Sequence, residues 1–231
     1  GEYGNVNLMA NYYQTINPAI PKTAYPYFYL PKLEHNWGTQ ILDTGLTLSN
    51  TIQMAEIQAD SSFLTTGQRF AMRPKLTMPL ESSWGFFRPS ATLAFNQYSL
   101  QNTGQWQALQ QSNGVAVQQT SNPNFTVPIL SLDAGTYFDR DFDLGGQTWQ
   151  QTIEPRLFYV YIPYADQSNV PVFDTTPYDF TYYQMFRENR YTGYDRIGDT
   201  NSVTAAVTSR IIDGEKGYDR LRATIGNIAY L

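Results

Sequence analysis

The chain has 231 residues, of which only 15% are charged while another 15% are aromatic. Soluble domains carry more charge, about a quarter of their residues. Twenty acidic and fifteen basic residues are scattered without blocks and give a formal charge of −5, so there is no electrostatic footprint for nucleic acid. Cysteine is absent, which excludes disulfides, thiolate metal sites and cysteine nucleophiles.

The hydropathy pattern excludes a conventional transmembrane helix, because no apolar run reaches the required length of about eighteen residues. With a mean hydropathy of −0.41, a membrane protein of this kind must cross with strands. Its 18 Tyr, 13 Phe and 4 Trp suit a boundary between apolar and wet surroundings. Gly1 opens the chain without a charged or apolar leader, so we expect a processed chain or part of a longer protein.

Apolar and polar residues alternate with a period of two along most of the chain, which is how a strand separates its two faces. Strands are predicted near residues 5–15, 27–37, 40–56, 66–80, 86–99, 124–139, 147–162, 199–212 and 218–231. Short connections at 37–40, 81–85, 140–146 and 213–217 alternate with long ones at 16–26, 57–65, 100–123 and 163–198. This alternation of short and long connections is typical of outer-membrane barrels.

No helix is expected, and the Gln-rich stretch 105–119 is predicted to be a mobile loop. Aromatic residues gather near predicted strand ends, at Tyr25, Tyr27, Phe28, Tyr29, Trp37, Trp84, Phe86, Phe87, Tyr159, Tyr161 and Tyr164. They fit the two interfacial girdles of a membrane barrel. The alternative is that they are core aromatics beside turns.

The two faces of the predicted strands differ in chemistry. Apolar side chains are predicted on the outer face at Phe70, Met72, Leu76, Met78, Leu157, Tyr159, Val203 and Val207. Charged side chains on the opposite face are predicted to line the lumen at Arg69, Arg73, Lys75, Arg88, Glu154, Arg156 and Arg210. Such charges can pair with one another or contact a polar ligand. The sequence therefore predicts an all-β, antiparallel transmembrane barrel, with residues 1–231 in one barrel domain.

Candidates for chemistry are weak. His35 lies inside a predicted strand without the Ser and Asp spacing of a catalytic triad, so a structural role is favoured. Asp139, Asp141 and Asp143 precede a Gly-Gly pair and resemble a calcium loop, but the glycine is one place late and the closing Glu is missing. An acidic hairpin turn is the favoured interpretation. We predict no catalytic, cofactor or metal site.

The stretch 163–199, hereafter the 163–199 segment, interleaves Arg and Asp with aromatic residues. Such a segment can fold on itself through charged hydrogen bonds, so we expect an ordered loop that folds over or into the lumen. Its charged residues are expected to satisfy one another, since buried unpaired charges are costly. Contact with an anionic ligand through Arg187, Arg190 and Arg196 is the alternative.

At this point the sequence resembles the LptD family of lipopolysaccharide-assembly outer-membrane proteins. The resemblance rests on the strings at 154–164, 166–169, 173–175, 186–190, 193–201 and 208–210. It directs attention to the segment's polar residues as contacts of a cap or plug, namely Gln167, Asn169, Asp174, Arg187, Asn189, Arg190, Asp195, Arg196 and Asp199, with Asn201 just beyond.

The resemblance implies a barrel of about twenty-six strands in the outer membrane of a Gram-negative bacterium, of which this chain supplies about nine. It implies translocation of lipopolysaccharide without a covalent step or cofactor. The lumen charges would then contact its phosphorylated sugars, or else pair with one another or with the plug. The resemblance also implies three partners: the plug lipoprotein LptE, the periplasmic lipopolysaccharide-transport bridge and, during folding, the barrel-assembly machinery. The family's periplasmic jelly-roll domain and its disulfide cysteines are not recognisable here, which fits an internal part of the barrel.

Two other functions remain open at this stage. A soluble all-β carbohydrate-binding module would use exposed aromatics to stack on sugars, and a diffusion porin would need an open lumen. A partial barrel also leaves two unpaired sheet edges that lipid cannot satisfy. We therefore expect the isolated chain not to close into a barrel of its own.

Overall fold

The computed structural model describes residues 3–114 and 120–231 of the protein. The strands are β1 Tyr3–Met9, β2 Tyr27–Gln40, β3 Thr47–Ala59, β4 Thr66–Thr77, β5 Leu80–Ser82, β6 Gly85–Gln101, β7 Asn124–Thr136, β8 Phe138–Leu144, β9 Gln147–Ile162, β10 Thr200–Asp213 and β11 Asp219–Tyr230. One α-helix, α1 Thr103–Ser112, and short 3-10 helices at Lys22–Ala24, Leu42–Thr44 and Tyr182–Phe186 complete the described elements. None of these helices is long and apolar enough to cross a membrane.

The strands form one antiparallel sheet of 11 strands in the order β1-β2-β3-β4-β6-β7-β9-β10-β11. The short strands lie off this path, β5 against β6 and β8 against β9. Several strands are long, with 17 residues in β6 and 16 in β9, against about six in globular proteins. Among the described residues, β1 and β11 are paired on one side only, so the sheet stays open. The predicted all-β, antiparallel path of nine main strands is confirmed.

Cross-strand register gives the sheet two uniform faces. Arg69 of β4 lies opposite Ala55 of β3 and Tyr98 of β6 on the face that carries the 163–199 segment, which we name the covered face. The other, the open face, carries side chains of the alternate positions. Phe70, Met72, Leu76, Leu157, Tyr159, Val203 and Val207 lie on the open face, as the alternation predicts. Met78 lies one residue beyond the end of β4.

The open face is apolar and uncovered. Leu76 is 38% exposed, Leu157 45% and Val207 40%. Within residues 3–114 and 120–231 no second sheet packs against this face. A soluble sandwich would bury its apolar face between two sheets, so this arrangement is the reverse of a soluble β fold.

The buried core lies on the other side, between the sheet and the 163–199 segment. Its main cluster joins residues of β6, β7 and β9 to Val170 and Ile197 of the segment. Phe158 and Val160 of β9 are each only 4% exposed there. A smaller cluster of Tyr29, Ala55 and Ile57 packs against Phe173. The segment is therefore an ordered part of the fold, as expected.

The turn predicted at 37–40 is wrong. Strand β2 continues to Gln40, and Trp37 is paired with both Gly4 of β1 and Asn50 of β3. The connection instead occupies 41–46, where Gly45 has φ +74°. This left-handed conformation is accessible to glycine without steric cost, so Gly45 is the residue that allows the chain to reverse. Strand β3 accordingly begins at Thr47 and not near residue 40.

The long connection 100–123 contains a helix that the sequence interpretation missed. Residues 103–112 form α1, because this stretch is rich in Gln, Ala and Leu, which have good helix propensity. The prediction of a mobile loop is therefore wrong for these residues. Asn113 and Gly114 form a turn at the end of the helix, and 115–119 lie outside the described residues.

The acidic stretch before Gly145 is a strand and not a turn. The strand is interrupted at Tyr137, between β7 and β8, and β8 then pairs with β9 from Phe138 to Leu144. Gly145 and Gly146, with φ +66° and +77°, form the turn. Asp143 accepts a hydrogen bond from the Thr148 hydroxyl at 2.8 Å and Asp139 one from the Gln150 amide at 3.2 Å. The three Asp residues therefore lie in β8, and the turn predicted at 140–146 is confined to Gly145 and Gly146.

One predicted aromatic girdle is also wrong. Phe28 and Tyr29 are only 7% and 8% exposed, and Tyr27 packs edge-on against Phe173 of the segment, with ring centroids 5.0 Å apart. These are core aromatics, which was the alternative interpretation. Trp84 and Tyr164, by contrast, are 70% and 76% exposed.

Candidate functional site

A single buried arginine of the sheet holds the 163–199 segment. The Arg69 guanidinium donates to both oxygens of Asp174, at 2.9 and 2.7 Å, and to Oδ1 of Asp195 at 2.6 Å. Its remaining N–H groups donate to Oε1 of Gln53 on β3, at 3.2 and 2.7 Å. The side chain is 0% exposed. All five donors of the guanidinium therefore have an acceptor, as a buried charge requires.

Neutral donors complete the shell around the two carboxylates. Asp195 accepts hydrogen bonds from the Tyr98 hydroxyl at 3.0 Å and from the backbone N–H groups of Phe173 and Asp174 at 2.8 and 3.0 Å. Asp174 accepts from the Tyr29 hydroxyl at 2.6 Å. Two carboxylates share one guanidinium, and these donors stabilise the excess negative charge.

The two acids titrate differently. Burial by itself would raise the pKa of Asp174, but the hydrogen bonds and charge of Arg69 outweigh it and hold that pKa well below its usual range. Burial raises the pKa of Asp195, and the Asp174 carboxylate adds to this increase while the Arg69 charge opposes it. Protonation of this pair as the pH falls therefore weakens its contact with Arg69.

Tyr194 extends this contact across β4. Its ring centroid lies 5.4 Å from the guanidinium carbon of Arg69 and 5.3 Å from that of Arg73, within the range of cation–π attraction. Its hydroxyl donates to Glu34 of β2 at 3.2 Å, and its carbonyl accepts from the Asn96 amide at 2.5 Å. Burial, then the nearby Glu34 carboxylate, raises the pKa of Tyr194 to about 12.

Two amide side chains fix the backbone of the segment to itself. Gln167 accepts from the Ile197 N–H at 2.9 Å and donates to the Ile197 carbonyl at 2.9 Å. Asn189 accepts from the Gly198 N–H at 3.0 Å and donates to the Arg196 carbonyl at 2.9 Å. An amide can replace a strand partner in this way because it carries both a donor and an acceptor.

The arginines of the segment do not form ion pairs with its buried acid, Asp195. The expectation that the charged residues of the segment satisfy one another is therefore wrong. Arg196 donates to the carbonyls of Asp195 and Val170, at 2.8 and 2.5 Å. Arg187 donates to the Tyr178 hydroxyl at 3.0 Å. Arg190 and Asp199 stand 3.8 Å apart, both more than half exposed. Exposed charges are hydrated and need no buried partner, whereas Asp195 is buried and is reached by Arg69 of the sheet.

The remaining polar residues of the family motif have separate positions. Asn169 lies half-buried in the turn that follows Gln167. Asn201 belongs to β10 and not to the segment, and on the open face it accepts a hydrogen bond from the Tyr159 hydroxyl at 3.0 Å. Asn201 is thus not brought together with the other motif residues.

The charged residues predicted to face a lumen share the covered face, and most of them have partners. Lys75 bonds Glu188 of the segment at 2.7 Å. The other pairs are Arg88 with Glu81 at 2.7 Å, Arg156 with Asp133 at 2.8 Å and Arg210 with Glu154 at 2.6 Å. Arg73 is the exception, because it bonds only backbone carbonyls, including Met72 and Phe95 at 2.9 and 2.8 Å.

The sequence analysis did not identify the residues that surround Arg69, Asp174 and Asp195. Gln53, Asn96 and Tyr98 occupy covered-face positions of predicted strands, so the same alternation that selected Arg69 could have selected them. Tyr29 was interpreted as an interfacial aromatic. Nothing in its sequence context marks it as a donor to an acid 145 residues away.

Comparison with known proteins identifies the family of this sequence. The family model described as LptD, LPS transport system D, matches residues 1–231. The LPS-assembly protein LptD of Methylococcus capsulatus is 40% identical over 228 residues, which cover 99% of this chain and 21% of the relative. The LptD of Chromobacterium violaceum is 39% identical over 234 residues, which cover 100% of this chain and 28% of the relative. The LptD of Nitrosospira multiformis is 35% identical over 224 residues, which cover 96% of this chain and 23% of the relative.

The chain thus spans 21% to 28% of the length of these three relatives. Together with the long antiparallel strands and the apolar open face, the match identifies the sheet as part of a transmembrane β-barrel. The chain belongs to the LptD family of LPS-assembly proteins.

Proposed function

We propose that this chain forms part of the wall of an outer-membrane translocon that inserts lipopolysaccharide into the outer leaflet of a Gram-negative bacterium. The proposal rests on how polar and apolar residues are divided between the two faces of the sheet, which is the reverse of a soluble β fold. Its open face is apolar, while its covered face is charged and carries an ordered segment. Such a sheet suits lipid on one side and a polar lumen on the other.

In this proposal the open face contacts acyl chains of the bilayer and the covered face lines the lumen. Residues 1–231 belong to a single barrel domain, and the strands that continue the barrel pair with β1 and β11, whose outer edges have no partner within residues 3–114 and 120–231. Arg73, Lys75, Arg156 and Arg210 then face the path of a polar head group.

The 163–199 segment acts as a cap inside the lumen. It is fixed to β4 by Arg69 and to β2 by Tyr194, so it occupies space that an open pore would need. A diffusion porin would need that space open, and a soluble carbohydrate-binding module would bury the apolar face that this sheet exposes. Both alternatives fit the architecture less well.

Translocation requires binding and release but no bond making, so we assign no enzymatic step and no cofactor. His35 fits this view, since it projects from the open face between Val6 and Ile52 and lies in no triad. We assign to the full protein the partners that its family implies: lipopolysaccharide, the plug lipoprotein LptE, the periplasmic lipopolysaccharide-transport bridge and, during folding, the barrel-assembly machinery.

The test is conditional depletion of the full-length protein, followed by measurement of lipopolysaccharide on intact cells with an antibody. The expected result is a loss of surface lipopolysaccharide that the wild-type gene restores. The same experiment should recover the protein from the outer-membrane fraction. Unchanged surface lipopolysaccharide after depletion, or recovery of the protein from the aqueous fraction, would contradict the proposal.

A further inference from the structure

A second polar site lies beside the Arg69 cluster. A cavity of about 380 Å³ separates the 163–199 segment from β3, β4 and β6. We name it the anion cleft and define it by Arg73, Lys75, Thr92, Arg187 and Glu188, which line it. Arg69, Asp174 and Asp195 do not line it, so the cleft is separate from the Arg69 cluster, although its Lys75–Glu188 pair also joins the segment to β4.

The charges of the anion cleft do not balance. Lys75 and Glu188 neutralise each other at 2.7 Å. Arg73 donates only to backbone carbonyls and Arg187 only to the Tyr178 hydroxyl. Neither arginine has a carboxylate within ion-pair distance in the described part of the chain. The half-buried Arg73 and the exposed Arg187 therefore give the cleft a net positive charge, which would attract an anion.

We propose that the anion cleft binds a phosphate group of a phosphorylated saccharide. A phosphate monoester carries about −1.5 to −2 charges and three strong acceptor oxygens, which matches two arginines without a carboxylate partner. The rings of Tyr178, Tyr191 and Tyr194 line the same cleft and offer apolar faces to the sugar. This inference rests on the proposed function, because lipopolysaccharide supplies phosphorylated sugars to a lumen.

The test measures binding to the full-length protein in detergent. The probes are a fluorescent bisphosphorylated diglucosamine, the same disaccharide without phosphate, and inorganic phosphate as competitor. Arg187→Gln is expected to weaken binding of the bisphosphorylated probe about tenfold or more, since a hydrogen bond to a charged group is lost. Arg140→Gln is the matched control. Arg140 is exposed and bonds Gln151 of β9, so no change is expected.

A further variant tests the charge of the cleft. Glu188→Gln should strengthen binding of the probe, because it removes the negative charge of the cleft while it keeps an acceptor for Lys75 and Ser131. Weaker binding by the Glu188→Gln variant would argue against a phosphate in the cleft.

The probes also distinguish the sources of phosphate. Inorganic phosphate that binds as tightly as the bisphosphorylated probe would overturn the saccharide assignment. Equal affinities of the Arg187→Gln and Arg140→Gln variants, in a protein that still restores surface lipopolysaccharide, would overturn the cleft and leave the proposed function intact. Failure of the depletion experiment would instead remove the function, whatever the cleft binds.

Discussion

Arg69 and Asp195 are 126 residues apart in the sequence and form an ion pair of 2.6 Å in which both side chains are 0% exposed. One residue belongs to β4 and the other to the 163–199 segment. The ion pair therefore fixes the segment to the sheet. Substitution of Arg69 tests how much of the stability depends on this contact.

Arg69→Ala leaves two carboxylates buried without their counter-ion, so it should destabilise the full-length protein by about 3–5 kcal/mol. The denaturant midpoint in detergent measures this loss, and limited proteolysis should cleave the released 163–199 segment. Arg88→Ala is the control, since Arg88 and Glu81 are 37% and 56% exposed and such pairs contribute about 0–1 kcal/mol. Equal effects of the two substitutions would contradict the role of burial.

Asp174 gives a dependence on pH with a defined sign. Its pKa in the folded protein lies below the unfolded value of about 3.9, so its ionised form stabilises the fold above that value, and the contribution is lost as the pH falls further. The difference in unfolding free energy between wild type and Asp174→Asn should therefore be largest near neutrality. The difference should shrink as the pH falls below about 4. A difference that grows as the pH falls would contradict a lowered pKa for Asp174.

Asn189→Asp tests the amide that joins two parts of the segment. The substitution retains the acceptor for Gly198 but replaces the donor to the Arg196 carbonyl with a second acceptor. A cost of about 1–3 kcal/mol is expected, measured as faster amide exchange in 163–199. Asn17→Asp should be silent, because the exposed Asn17 side chain acts only as an acceptor for the Ala19 N–H.

Arg196→Ala removes the donor to the carbonyls of Val170 and Asp195. The expected cost is about 1–3 kcal/mol, less than for a broken buried ion pair, because the partners left behind are carbonyls and not carboxylates. In the full-length protein we expect slower barrel maturation or weaker plug association, measured by heat-modifiable gel mobility and by co-purification of the plug. Normal maturation, together with unchanged amide exchange in the segment, would show that the contact is dispensable.

Leu157→Arg tests the open face as the lipid-facing surface. A charge near the middle of the bilayer should cost about 2–4 kcal/mol and reduce the amount of inserted barrel. Leu144→Arg is the matched control, because Leu144 ends β8 beside the Gly-Gly turn, where the cost should fall to about 0–1 kcal/mol. Outer-membrane fractionation measures both, and equal insertion of the two variants would count against a membrane position for Leu157.

The strand faces could be predicted from the sequence because a period of two is visible locally. The predicted strand 147–162 coincides with β9, and each open-face residue predicted within a strand lies on that face. The turns were harder. Asn36, Trp37 and Gly38 have the composition of a turn, yet the ladders with β1 and β3 keep them extended.

The contacts of the site could not be predicted, because they depend on the order of strands in the sheet. The sequence marked Arg69 as inward-facing and Asp195 as part of a family motif, but nothing local indicates that they meet. The same holds for Gln53, which reaches Arg69 from the neighbouring strand. A charge pattern predicts which residues are polar, whereas the pairs that they form are a property of the folded sheet.

The path of the 163–199 segment has a mechanical consequence. The segment leaves β9 and enters β10, yet it is fixed to β4 and β2, which lie three and five strands from β9 along the sheet. The segment therefore joins strands that are not neighbours in the sheet. Strands β4 and β9 can move apart only if the hydrogen bonds between Arg69 and the segment break.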